Sequence, residues 1–499
     1  MKRFLSFLKR LLQLRVILWT LATLITLYIL FVTLENWTGA RALAAVKARV
    51  AKEGEILDFS LLLPKPVPDA QNFCALEPLA GITNPKNKRA ESLEALNWTK
   101  KHASKMPAAP ASIQSGKAAD LAPWMAYLAE IGIGKAGAPP ADMLAALDAA
   151  HPVLKTLSDA APARRAAVFT PTLGEGQETL MIFELQLPHY SQVQTLARVL
   201  ALRARLAIGA GSAGEALNSI RACLRLAEAA SAEPMLIGLL VSASIHGTAQ
   251  EAVWSLLQAR IATDTQLAEL QADITRLDYH AAMLHCMRGE LAAVCQSVEA
   301  LRPNPAAASH VLAGVESHVE PRVSFSLLAW LMPAGYWDHS EARIIEAQLG
   351  GVILPIKHGR LQLEKDGRTT IERETAARRG LSDPHGILLS LTLPACGTVI
   401  RSIEHTEALR RQSLAATAIE RHRLATNTLP ASLEGMSAPA DPIDGNPMRY
   451  RVEVGGYTLW SIAFDREDDQ GRSGDEKMAK KPSASDFSGD WVWASRAEP

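Results

Sequence analysis

No charged residue falls between Arg15 and Glu35, and this uninterrupted run, Val16–Leu34, limits what the chain can fold into more than any other feature. A helix of that length spans roughly 28 Å, close to the thickness of a bilayer's hydrocarbon core. The sequence therefore predicts a transmembrane helix over residues 16–34. A secretory signal peptide is the competing expectation, because Ala42-Leu43-Ala44 offers small residues for cleavage. Signal cores are usually shorter, about 7 to 15 residues, and here Glu35 and Arg41 intervene before the cut, which favours an uncleaved anchor. Residues 1–15 hold Lys2, Arg3, Lys9, Arg10 and Arg15 and no acid, so the positive-inside bias keeps them in the cytoplasm and the bulk of the chain is exported. In the same tail Phe4, Leu5, Phe7, Leu8, Leu11 and Leu12 suit a basic amphipathic helix lying on the inner headgroups. Trp19, Tyr28 and Trp37 are the aromatic rings available to the two interfaces, Tyr28 being the least well placed.

Charge selects no partner. The chain's 52 basic side chains balance 52 acidic ones, so no overall field favours nucleic acid or another polyanion. With 499 residues the exported part has room for two or three domains and a sizeable core. Cys74, Cys223, Cys286, Cys295 and Cys396 are too scattered for a disulfide scaffold and form no CxxC pair. They are expected to be buried single thiols, with Cys286 and Cys295 the first pair to test for a bridge.

Beyond the apolar run, Gly39–Lys52 reads as an Ala-rich helical continuation, which the three prolines of Leu61–Asp69 then break. Lys105–Ala119 is poor in bulky apolar residues and reads as a surface segment, and Arg302–Ala308 as a second soft point. From Ser191 to Leu301 the pattern is helical, with Val193, Leu196 and Leu200 on one stripe and Leu217, Ile220, Leu224 and Ala227 on another. Pro234 is placed as a first-turn proline, and Thr263 with Gln266 has the spacing of a capping box ahead of Leu267, Leu270, Ile274 and Leu277. Paired antiparallel helices follow, without a consistent 34-residue tetratricopeptide period. An Ala-rich helix over Thr398–Ala425 then leads to Leu429-Pro430. Met448–Val454 alternates with period two, placing Tyr450, Val452 and Val454 on one side, and Gly455-Gly456 supplies a two-residue turn into a second strand, Tyr457–Phe464.

Motifs for chemistry are sparse. Gly209-Ala210-Gly211-Ser212-Ala213-Gly214 matches GxGxxG, but a nucleotide-binding loop follows a strand, and here a helix precedes it, so a helix-to-helix turn is expected. His280 and His285 are five residues apart, roughly 140° around a helix, and so cannot share a metal with Cys286 and Glu290 on one face. No HExxH, GxSxG or Walker loop occurs. The loop Asp465–Glu476 packs acids around two glycines, as a calcium loop does, yet its glycine falls one position late for an EF-hand and a strand precedes it. A solvated acidic turn paired with Arg466 and Arg472 is the alternative.

The run of Ala-rich helix, Leu429-Pro430-Ala431-Ser432-Leu433-Glu434, Asp441-Pro442, Asp444-Gly445-Asn446-Pro447, Arg449-Tyr450, hairpin, Leu459-Trp460-Ser461 and acidic glycine loop resembles the head domain of the major pseudopilins of type II secretion. That resemblance implies an α+β head whose loop holds calcium through Asp465, Asp469 and Asp475. It covers only the C-terminal portion: pseudopilins open on a Gly-Phe-Thr-Leu-x-Glu start that is absent ahead of Val16, and their membrane helix runs directly into the head. The whole chain also resembles a group of uncharacterised single-pass bacterial envelope proteins, through Gln71-Asn72-Phe73 and the ending Gly489-Asp490-Trp491-Val492-Trp493.

The expected fold is thus mainly α: a basic tail at 1–15, a transmembrane helix at 16–34, a stalk at 35–70, a mixed segment at 71–190, a helical-hairpin domain at 191–397 and a small pseudopilin-like α+β domain at 398–499. The expected location is the bacterial inner membrane, N-terminus in, with the bulk periplasmic. Three functions remain open: an envelope scaffold binding protein partners without catalysis, an accessory component of a type II secretion or pilus-like system, and an envelope hydrolase whose site assembles from residues distant in sequence. No nucleic-acid partner and no cofactor other than calcium is expected.

Overall fold

The uncharged run forms a helix that continues well past the first charge. In the computed structural model, which describes residues 2–83, 97–98, 101–102, 105–107, 112–118, 120–169, 188–304, 306–308, 330, 332–359, 384–473 and 489–496, helix α1 (Lys2–Lys52) is 51 residues long, a rod of roughly 77 Å. Among the described residues it is the one helix long and apolar enough to cross a membrane. Its side chains from Val16 to Phe31 are all exposed, whereas Gly39, Leu43 and Val50 are buried. One helix is therefore bare from Val16 to Phe31 and docked from Gly39 onward, and the segment expected as a stalk packs against the body.

The body is helical: α2 (Ala122–Glu130), α3 (Pro140–Ala150), α4 (Pro152–Ala160), α5 (Pro188–Gly209), α6 (Ala213–Ala232), α7 (Leu236–Ala259), α8 (Asp264–Thr275), α9 (Tyr279–Leu301), α10 (Ala334–Gln348) and α11 (Ile387–Thr426). The apolar stripes of α5 and α6 are buried as their periodicity requires. Between these helices Arg203 is fully buried, and its guanidinium donates to both Asp148 oxygens at 2.8 Å, to Glu215 at 2.6 Å and to Ser219 at 2.7 Å. A buried cation is tolerated only with such a complete set of acceptors. The capping box is present: Thr263 Oγ1 accepts from the Gln266 amide at 3.3 Å and Gln266 Oε1 from the Thr263 amide at 2.9 Å. Pro234 differs from expectation. It precedes the Met235 N-cap and lies where α9 crosses, at Gly289, a position with no room for a β-carbon.

The Gln71-Asn72-Phe73 segment has a structural role. Asn72 accepts from the Cys74 and Val168 amides and donates to the Val168 carbonyl, which brings Phe73 into the core beside the chain at 166–168.

At the C-terminal end β1 (Arg449–Glu453), β2 (Gly456–Ser461) and β3 (Trp491–Arg496) form an antiparallel sheet in the order β1-β2-β3. The hairpin lies where its alternation predicts, but Glu453 pairs with Gly456, so the turn is Val454-Gly455, one residue earlier than expected. Gly455 supplies the positive φ of 81°. Of the three side chains expected on one side of the strand only Tyr450 is half-buried, while Val452 and Val454 are exposed, and the buried row lies on β2. The third strand was not anticipated. It makes β2 central and ties the sheet to the helices: Trp254 Nε1 donates to the Ala494 carbonyl at 2.8 Å and Gln412 to the Trp491 carbonyl at 2.6 Å. Helix α11 begins before Thr398, running through Pro394, and ends on Asn427 in the left-handed region, so it passes through the domain boundary expected at 397/398. Leu459, Tyr457 and Trp493 share one hydrophobic core with α5–α9.

Asp441 fastens the sheet from below. Fully buried, it accepts from Arg449 Nη1 at 2.8 Å, Ser461 Oγ at 2.8 Å, the Ile443 amide at 2.9 Å and the Ile462 amide at 3.2 Å, while Arg449 also holds Asp444 at 2.7 Å. Replacing it leaves Arg449 with Asp444 alone at this contact and strands three donors, the Ser461 hydroxyl and the Ile443 and Ile462 amides. Asp441→Ala is expected to lower unfolding free energy by about 3–5 kcal/mol, measured by urea denaturation; a loss near zero would remove this role.

Candidate functional site

The joint between α1 and the body concentrates polar contacts. Helices α1 and α10 run side by side in the same direction, and they touch backbone to backbone. A β-carbon on Gly39 would lie 2.8 Å from the Gly335 Cα, and one on Gly335 would collide with the Glu35 carbonyl. Only glycine permits that approach. Asn36 Oδ1 accepts from the Gly335 amide at 2.7 Å, and so caps α10 from the neighbouring helix. One residue below, His385 Nε2 donates to Glu35 Oε1 at 2.6 Å, His339 Nε2 lies 3.1 Å from Thr38 Oγ1, and the two imidazoles are 4.7 Å apart.

Two further clamps lie along the joint. Lys47 Nζ contacts Glu299 of α9 at 2.7 Å and Glu341 of α10 at 2.9 Å. Burial opposes the Lys47 charge, but these two acids outweigh it and push its pKa up to about 12. Past the helix end, Glu55 receives Arg288 Nε at 2.5 Å, Arg288 Nη2 at 2.8 Å and Lys357 Nζ at 2.8 Å, and Lys357 also donates to the Glu53 carbonyl at 2.7 Å. Burial raises the Glu55 carboxyl, and the Arg288 and Lys357 hydrogen bonds overcome it, holding the group below its ordinary value. Burying Leu43 and Val50 contributes about 1.5–3 kcal/mol each. Apolar burial therefore holds the rod, and the ion pairs set its angle and register.

The acidic loop is a second candidate. Asp465 accepts from the Glu467 amide at 3.1 Å and the Gly489 amide at 3.0 Å, so both its oxygens are engaged with backbone. Asp469 is exposed on the same loop. Asp475 lies outside the described residues. Asp490, at the start of β3 and not singled out from the sequence, is the buried acid here. Its Oδ2 accepts from the Gly471 amide at 2.8 Å, and its Oδ1 is without a hydrogen-bond partner. Burial, and then the neighbouring Asp468 and Asp469 charges, push its pKa up to about 6. Asp468, also overlooked, accepts from Trp460 Nε1 at 2.9 Å and the Gln470 amide at 2.9 Å. Among the described residues no group of three or more His, Cys, Asp or Glu converges as a metal site.

The remaining motifs have structural roles. Gly209–Gly214 is the turn between α5 and α6. His280 pairs with Glu404 at 3.0 Å, and Cys286 Sγ contacts the Glu233 carbonyl at 3.5 Å. All five cysteines are free and buried.

The Glu55 clamp predicts a pH dependence with a definite sign. Its folded pKa is depressed, so its stabilisation is full above the ordinary value of 4.5 and is lost as pH falls through the folded value. Thermal unfolding of Glu55→Gln is expected to lie below the parent at neutral pH and to converge on it in acid; a constant gap would refute the assignment.

Compared with protein-family models, curated proteins and solved structures, the chain gives no match.

Proposed function

We propose that the protein is a membrane-anchored scaffold of the bacterial envelope, held in the inner membrane by residues 16–34 with its N-terminus in the cytoplasm and its body in the periplasm, and binding protein partners without catalysis. The observation that supports this reading best is the α1 joint. A tether needs only a flexible linker, whereas here the Gly39–Gly335 crossing and three polar clamps fix the body's orientation on its anchor. Fixed orientation is useful to a protein that presents a surface, and the helical body offers broad faces for that. The test has two parts. Reporter fusions after residue 496 should be active only as exported enzymes, and cross-linking in intact membranes should capture a defined partner that is lost when a flexible linker is inserted after Leu34. Turnover of cell-wall or peptide substrates by the purified body, abolished by one substitution, would instead establish the hydrolase.

A second reading, an accessory component of a type II secretion or pilus-like system, is favoured by the Asp441–Arg449–Asp444 contacts that hold the hairpin and by Asp465 accepting from the Gly489 amide. Loss of secretion on deletion would establish it. With it goes calcium, held by Asp465, Asp469 and Asp475; the open oxygen of buried Asp490 supports a cation nearby. A ligand bound only by the folded state stabilises it by mass action. Millimolar calcium is expected to raise the melting temperature of the parent and not of Asp469→Ala; no shift in the parent would exclude the site.

A further inference from the structure

The joint fixes how far the body stands from the end of the apolar run, and that distance is short. Helix α10 meets α1 at Glu35, Asn36 and Gly39, within five residues of Leu34. Those residues occupy about 6–8 Å of helix axis. The headgroup layer beyond the hydrocarbon is itself roughly 5–8 Å deep on each side. If residues 16–34 fill the hydrocarbon, the first turn of α10 lies within the headgroups and cannot be held clear of them.

What the chain places there fits such a position. Trp330, a few residues before α10, is 65% exposed although the next rings along, Tyr336 and Trp337, are buried at 6% and 3%. Trp37, beside Asn36 where α10 begins, is 58% exposed and stacks its ring under the Arg41 guanidinium at 4.8 Å. Indoles with one polar edge prefer the interface to either water or hydrocarbon. Elsewhere on the body, the exposed large apolar side chains Ile237, Leu424 and Val454 lie on separate elements, as expected of isolated surface residues.

We infer that the face of the body around Trp330 and the start of α10 is a second membrane-contact surface, so that the protein rests on the lipid headgroups in addition to being anchored through them. This rests on the membrane reading of residues 16–34, and the occupant is the bilayer itself.

The experiment uses the full chain in phosphatidylethanolamine–phosphatidylglycerol vesicles. Because the native thiols are buried, a nitroxide label attaches selectively at Trp330→Cys, at Leu24→Cys within the apolar run, and at Val454→Cys on the exposed hairpin turn. Collision with oxygen, enriched in lipid, is compared with collision with a water-soluble nickel chelate. The expected result is a ratio at 330 several-fold above that at 454 and below that at 24. A water-like ratio at 330 with a lipid-like ratio at 24 would overturn the inference and leave the anchor standing. A label at 330 shielded from both reagents would mean that protein covers this face, and would overturn it too. A water-like ratio at 24 would remove the anchor reading and this inference with it. Vesicles brominated near the glycerol should also quench the parent's emission more than that of Trp330→Phe; equal quenching counts against the contact.

Discussion

Two glycines facing each other across a helix pair govern the arrangement of this protein. Because neither Gly39 nor Gly335 has a side chain, α1 and α10 touch through their backbones, and everything further along the rod falls into place from that contact. Asn36 reaches the Gly335 amide of α10, Lys47 reaches the acids of α9 and α10, and Glu55 reaches Arg288 and Lys357. A larger residue at either glycine would push the helices apart and pull these acceptors out of reach together. The energetics divide accordingly, with Leu43 and Val50 supplying attraction and the polar contacts supplying direction.

A second level of organisation lies in buried charge. Arg203, Asp441 and Glu407 are each fully buried and each surrounded by opposite charge or donors. Such sites contribute little net stability over an apolar core, but a misfolded arrangement that separates any of them is heavily penalised. In a body assembled from Ala- and Leu-rich helices, whose apolar faces are nearly interchangeable, these pairs specify which helix lies against which. Arg203 matches α5 to α3 and α6, and Arg449 matches the hairpin to the loop at Asp441–Asp444.

What could be read in the sequence was what depends on near neighbours in the chain. The uncharged run, the stripes of α5 and α6, the Thr263–Gln266 box and the hairpin are all encoded within a few turns or a few residues, and each is found where expected, the hairpin turn to within one residue. The helix-to-helix role of Gly209–Gly214 was legible for the same reason. The α1 joint was not, since Glu35 and His385 are 350 positions apart and no periodicity links them. Strand β3 escaped because Trp491–Trp493 is too short a run to declare itself without its partner β2. Asp490 escaped with it: an acid acquires its shifted proton affinity from burial, which only the closed loop provides. Exposed Val452 and Val454 show the limit of alternation, which marks a strand without telling which of its faces is covered.

The unbroken run of α1 has a mechanical corollary. No proline or glycine pair interrupts the helix between Arg15 and the Gly39 contact, so there is no natural joint at which bending or twisting can be absorbed. A shaft of this kind conveys torque. Any neighbour that turns the exposed apolar part of the rod about its long axis swings the whole helical body by the same angle, and any load on that body is felt along the rod.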